Sequence, residues 1–127
     1  MRLDHIGIAT TDARELADLY VDLFDATVAH TESGDIDFVF VAVNGTYFEF
    51  LEPVDMDTDI GHHVRDHGTG FHHVGIEVDD LPAALEHARD LGVDLIDEEP
   101  RPGAWGHDIA FLDPDSTGGP LIEFFQH

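Results

Sequence analysis

Apolar and polar positions along the chain follow two periods, and the switch from one to the other occurs twice in the same order. Arg2 to Ala9 reads as a short strand. Asp12 and Glu15 then have the spacing of a capping box, and Leu16, Leu19, Tyr20 and Leu23 fall on one face at helical spacing, which predicts a helix. Strand-like runs follow around Thr27 to His30, from Ile36 to Val43 and from Thr46 to Leu51, with the hairpin signal Asn44-Gly45 between the last two. Asp, Pro, Gly and Thr dominate the next stretch, 54–70, where Ile60 and Val64 stand one turn apart and predict a short helix. The order then restarts. Phe71 to Ile76 is strand-like, and Asp79-Asp80 precede a helix with Pro82 in its first turn. Leu81, Ala84, Leu85, Ala88 and Leu91 form its apolar stripe, and Gly92 is a stop. Strands are expected at Asp94 to Ile96, Ile109 to Leu112 and Leu121 to Phe125, separated by the loops Pro100 to Gly103 and Ser116 to Pro120.

The expected class is therefore α+β, with tandem βαβββ modules. Module one covers 2–53, a connector 54–70 and module two 71–126, within one domain of 1–127. Hairpin-length turns between the late strands of each module argue against a parallel α/β sheet.

Laid over each other, the modules align chemistry. His5 in the first strand of module one matches His73 in the first strand of module two. Glu49 in the last strand of module one matches Glu123. Two imidazoles and two carboxylates suit a borderline divalent metal with positions left for substrate oxygens. A lone strand His or Glu carries little meaning; four of them related by a repeat point to a metal centre. A rival cluster, His62, His63 and His67, lacks the glutamate of a zinc-protease helix motif and lies in the polar connector. His72 adjoins His73 but points to the opposite face of a strand. Asp37 alternates with Val39, Val41 and Val43, which fits either a carboxylate at a cavity mouth or an edge-strand surface acid. Trp105, between Gly103 and Gly106, either lines a pocket or anchors its loop.

Composition narrows the partners. The formal net charge is -23, from 28 acids and five basic residues, every one of them Arg. A basic footprint for nucleic acid is missing. Self-repulsion on this scale destabilises a compact chain unless salt screens it; at about 1 M the Debye length is only about 3 Å. A halophile's cytoplasmic protein is the expected setting. Cysteine is absent, and no apolar run is long enough to span a membrane. No signal peptide is expected, because the chain enters a strand at once.

These residues resemble the vicinal-oxygen-chelate superfamily, which includes glyoxalase I, resistance proteins and ring-cleaving dioxygenases. Within it the chain is similar to the methylmalonyl-CoA epimerases. The stretches that carry the likeness are Leu3 to Ala9, Phe71 to Val74, Gly92 to Ala104, and Ser116 to Gly119 ahead of Leu121-Ile122-Glu123. The metal quartet marks the superfamily; the Asp97 to Ala104 stretch and the Ser-Thr-Gly-Gly loop favour the epimerases. The resemblance implies a glyoxalase-like curved mixed sheet around a metal cleft, a divalent ion (Co, Mn, Zn, Ni or Mg), an acyl-CoA substrate and a homodimer. It implies epimerisation by proton abstraction next to the thioester, with Glu123 as one base as well as a ligand. Asp37 falls where some epimerases carry a second, glutamate base. Arg101, Trp105, Ser116, Thr117 and Gly118 are expected at the substrate. Asp113-Pro114-Asp115 stands where the family usually has His-Pro-Lys, and Pro120 replaces an aliphatic residue. Two acids there are unfavourable for a CoA phosphate, so Arg65 or Arg101 is expected to supply the cationic contact. The rival reading is a glyoxalase-I-like isomerase on a non-CoA substrate. A non-catalytic ligand-binding protein does not need the intact quartet, and an iron dioxygenase needs the position that Glu49 would fill.

Overall fold

The computed structural model describes all residues, Met1–His127. The chain divides into two compact units, one of His5–His72 and one of Met1–Asp4 with His73–His127.

The first unit holds most of β1 (Arg2–Ala9), then α1 (Ala13–Phe24), β2 (Thr27–Glu32), β3 (Ile36–Val43), β4 (Thr46–Pro53) and α2 (Asp59–His67). Its strands lie in the order β2-β3-β4-β1, with β4 parallel to β1 and antiparallel to β3. Asp12 caps α1, its Oδ1 accepting the Glu15 N–H at 3.0 Å. Asn44 and Gly45 both take positive φ, 51° and 90°, as a two-residue hairpin of the favoured hand requires. Ile8, Val39, Val41 and Phe50 pack on Ala13 and Ala17 of α1. On the other face Ala9 and Leu51 pack on Ile60 and Val64 of α2. This face also carries His5 and Glu49, because His5 pairs with Tyr47, and Ala9 with Leu51, in the parallel ladder. The start of α2 sits so close to the Met56 backbone that a Cβ at Gly61 would overlap its carbonyl.

The second unit holds the later part of β5 (Gly70–Glu77), then α3 (Leu81–Asp90), β6 (Arg101–Pro102), β7 (Asp108–Phe111) and β8 (Ile122–Gln126). The order is β5-β8-β7-β6, with β8 parallel to β5 and antiparallel to β7. Val78, Ala110 and Leu112, with Ile76 and Phe124, pack on Leu81, Leu85 and Ala88 of α3. His73 and Glu123 lie on the other face.

The expected βαβββ order is present in both units, and the repeat extends to single hydrogen bonds. Gly7 pairs with Glu49, and Gly75 with Glu123, in matching parallel registers. Three residues beyond each glutamate, a side chain reaches the first turn of its own unit's helix. Glu52 Oε1 accepts the Ala13 N–H at 2.7 Å, and Gln126 Oε1 accepts the Leu81 N–H at 2.6 Å.

Module two departs from its expected strands in one place. Asp94 to Ile96 is no strand; only Leu95 forms a bridge, to Leu112. The Asp94 N–H goes to Ser116 Oγ at 3.0 Å, so that donor is lost to any ladder. The edge strand is instead the two-residue β6, within the stretch expected as a loop, and Pro100 and Pro102 keep it short because neither has an N–H to donate. The short connector helix is present as α2. No helix is long and apolar enough to cross a membrane.

Candidate metal and substrate site

Each unit presents one buried imidazole beside one buried carboxylate. In the first, His5 Nε2 stands 3.7 Å from Glu49 Oε1. In the second, His73 Nε2 stands 4.0 Å from Glu123 Oε2. Residue exposures are 4% for His5, 5% for Glu49, 1% for His73 and 7% for Glu123. A hydrogen bond needs about 3 Å, so neither pair is bonded to itself. Two donors on one ion at about 2.1 Å each stand between roughly 3 and 4.2 Å apart. Both separations fit that window. Buried carboxylates call for a positive counterpart, and a divalent cation is one group that could serve. The donor set of imidazole nitrogen and carboxylate oxygen is that of zinc, cobalt, nickel or manganese. His5, Glu49, His73 and Glu123 thus have the burial, spacing and chemistry of metal ligands, in two matched pairs.

Aromatic rings flank each pair. Phe40 lies opposite Glu49 in the β3–β4 register, and its ring meets Tyr47 edge-on at 6.5 Å. Phe111 lies opposite Glu123, and its ring meets His73 edge-on at 5.7 Å. The Arg101 Cζ sits 5.6 Å above the centre of that Phe111 ring. Arg101 is held there by Asp97, whose Oδ1 accepts the Arg101 Nε–H at 3.0 Å while Oδ2 accepts the Phe111 N–H at 2.8 Å. The sequence marks Asp97 only as the start of the epimerase-like stretch and assigns its side chain no role. Its four-residue offset from Arg101 was the available signal, but its bond to Phe111 depends on long-range folding.

The other expected residues are placed as follows. Asp37 is half-buried on β3, opposite Glu52. It shares the α1-packed face with Val39 and Val41, while Glu49 and Phe40 share the other. Its Oδ1 accepts the Gly34 N–H at 3.4 Å. Trp105 lies in a 3₁₀ turn with φ 61°, a left-handed conformation uncommon for a bulky residue, and Gly106 follows at φ 71°. Ser116 donates its hydroxyl to the Asp113 carbonyl at 2.9 Å, and Thr117 donates to the Pro120 carbonyl at 2.7 Å. Gly118 and Gly119 have φ of 80° and 112°, which explains a double glycine in this turn. Arg65 is exposed and paired with Asp66 at 3.2 Å.

The connector histidines form a separate group. The His63 ring centre lies 4.8 Å from that of His67 and 4.8 Å from that of His72. Burial, and then the neighbouring His67, holds the His63 pKa below the ordinary histidine value. His62 reaches Asp57 at 3.3 Å.

The family model of the Glyoxalase/Bleomycin resistance protein/Dioxygenase superfamily matches residues 4–111. A methylmalonyl-CoA epimerase of Dictyostelium discoideum is 35% identical, over 96% of this chain and 76% of its own length. An uncharacterized protein of Bacillus subtilis is 32% identical, over 98% of this chain and 91% of its own. Among solved structures, a Streptomyces coelicolor methylmalonyl-CoA epimerase in complex with 2-nitronate-propionyl-CoA superimposes with a TM-score of 0.93. It is 31% identical and the match covers 99% of this chain and 94% of that one.

Proposed function

The chain belongs to the glyoxalase/bleomycin resistance protein/dioxygenase superfamily, and from that premise we propose that it is a metal-dependent epimerase that interconverts the 2-epimers of methylmalonyl-CoA. The observation that carries this reading is the pair of buried His–Glu couples at matched registers, 3.7 and 4.0 Å across, in a chain related to epimerases of that substrate. His5, Glu49, His73 and Glu123 would hold the ion. When bound, it supplies positive charge that lowers the cost of negative charge developing on the thioester oxygen.

The chain's own groups do the rest. Glu123 takes the proton at carbon 2, its carboxylate lying among Gly75, Phe111 and His73 on a water-poor face. Asp37 is the second proton carrier that the resemblance implies, and strand alternation puts it on the other face of β3 from Phe40. The geometry therefore favours Glu123 as the principal base, and Asp37→Asn measures what the second carboxylate adds. Arg101, fixed by Asp97 over Phe111, meets the substrate's negative charge, with Trp105 and the Ser116–Gly118 turn at the thioester arm. The acting form is a homodimer, and the -23 charge calls for a salt-rich cytoplasm; cooperative unfolding on dilution of salt tests that setting.

The deciding experiment is hydrogen exchange at carbon 2 of methylmalonyl-CoA in deuterated, high-salt buffer. Metal-stripped and metal-restored protein are compared. Exchange that requires metal and is lost in Glu123→Gln supports the proposal. Absence of exchange with metal bound removes it. One observation favours a second reading: Asp113 and Asp115 add negative charge to the turn expected to meet the CoA arm. A glyoxalase-I-like isomerase on a smaller, non-CoA substrate would tolerate them, and the same protein assayed on a thiohemiacetal separates the two.

A further inference from the structure

We propose that Asp4, Glu77 and His127 form a second divalent-cation site, with the His107 ring orienting His127. None of these side chains belongs to the quartet discussed above. One ligand atom from each of Asp4, Glu77 and His127 lies within 4.8 Å of the others. Donors bonded to one ion at about 2.1 Å stand no more than about 4.2 Å apart, so a few tenths of an ångström of side-chain rotation closes the set. The backbone brings them together. Glu77 ends β5 opposite Phe125 of β8, and His127 follows two residues later along the same strand direction. His107 precedes β7, and the rings of His107 and His127 both lie 5.1 Å from Phe125.

The hydrogen-bond geometry suits a ligand. His127 Nε2 faces Glu77 Oε2 at 3.0 Å, and His127 Nδ1 faces His107 Nε2 at 2.7 Å. At 3.0 Å Nε2 donates its proton to Glu77 in the ion-free protein; a cation would displace that proton, leaving the Nδ1–H on His107 and the Nε2 lone pair on the ion. A histidine that binds metal through one nitrogen while its other N–H is held by an acceptor is the usual arrangement. The charges agree with it. Asp4 is only 6% exposed and stands near a second carboxylate in a chain of net charge -23. One imidazole and two carboxylates, with water completing the shell, fit zinc, nickel or cobalt.

The only tryptophan of the chain is a built-in reporter, because the Trp105 ring lies 6.0 Å from that of His107. The test titrates Ni²⁺ into metal-stripped full-length protein, counting bound ion by elemental analysis and following Trp105 emission. Two ions per chain are expected, one of which quenches Trp105. His127→Ala and Glu77→Gln should each drop the count to one and abolish the quenching, with the thermal melt showing a folded chain. His73→Ala should also drop the count to one yet keep the quenching. A wild-type chain whose bound ions leave Trp105 emission unchanged overturns the proposal. So does an undiminished count in the His127→Ala/Glu77→Gln double variant, in which case the side chains form a proton relay from Glu77 through His127 to His107.

Discussion

Module one is built of long strands and module two of short ones. β2, β3 and β4 run six, eight and eight residues. Their counterparts β6, β7 and β8 run two, four and five. Yet the glycine–glutamate register, the buried His beside it and the side chain that caps the helix recur in both. The elements that place the proposed metal donors share one register, while the edge of module two is loop over much of its length. That loop carries Arg101 and Trp105, the residues proposed to meet substrate. A rigid frame with a variable rim is how one fold supports different chemistries.

The sharpest way to break the symmetry is at the two glutamates. Glu123→Gln is expected to lower turnover on the order of 10³-fold, the range for loss of a positioned base. Glu49→Gln should chiefly weaken metal binding, so excess metal restores much of its activity. Steady-state kinetics across a metal titration checks both. If the two variants behave alike, the assignment of Glu123 as base is lost. Next come the cores. Phe50→Ala in module one should cost about 3–5 kcal/mol, and Leu85→Ala in module two about 2–5 kcal/mol, read from denaturant melts at high salt. A smaller contrast lies in the matched helix bonds. Glu52 makes its bond to Ala13 with a carboxylate, Gln126 its bond to Leu81 with an amide. Glu52→Ala should therefore cost about 1.5–3 kcal/mol and Gln126→Ala about 0.5–1.5 kcal/mol. Equal losses would show that the charge is irrelevant there. The smallest effect concerns His63 in α2, a helix module two lacks. Because its folded pKa is lowered, the unfolded chain binds the proton more readily. Stability is thus full above the ordinary value of 6.5 and is lost as pH falls below it. Hydrogen exchange of α2 amides should speed up on acidification, and His63→Gln should flatten that response.

Local signals made most of this frame legible. Asp12 and Asp80 cap their helices as their positions indicate, and Asn44-Gly45 turns the hairpin. The repeat supplied the two His–Glu couples, because identical residues at matching steps of similar strands survive any error in element boundaries. What escaped was whatever long-range pairing decides. Asp94 to Ile96 has the apolar pattern of a strand, but its first N–H is claimed by Ser116, far along the chain. Asp97 looks like one acid among 28 until its second oxygen is seen on the Phe111 amide. Asp37 alternates with valines as expected, yet only the register with β4 reveals which face that is. The trio of Asp4, Glu77 and His127 comes from three distant segments, and no spacing rule joins them.

Met1–Asp4 clusters with residues 73–127, not with the residues that immediately follow it. Asp4 comes within reach of Glu77 and His127, which lie far along the chain. Contacts this distant in sequence are slow to form. Pulsed hydrogen exchange during refolding should thus protect the β3–β4 hairpin early and the Met1–Asp4 segment late.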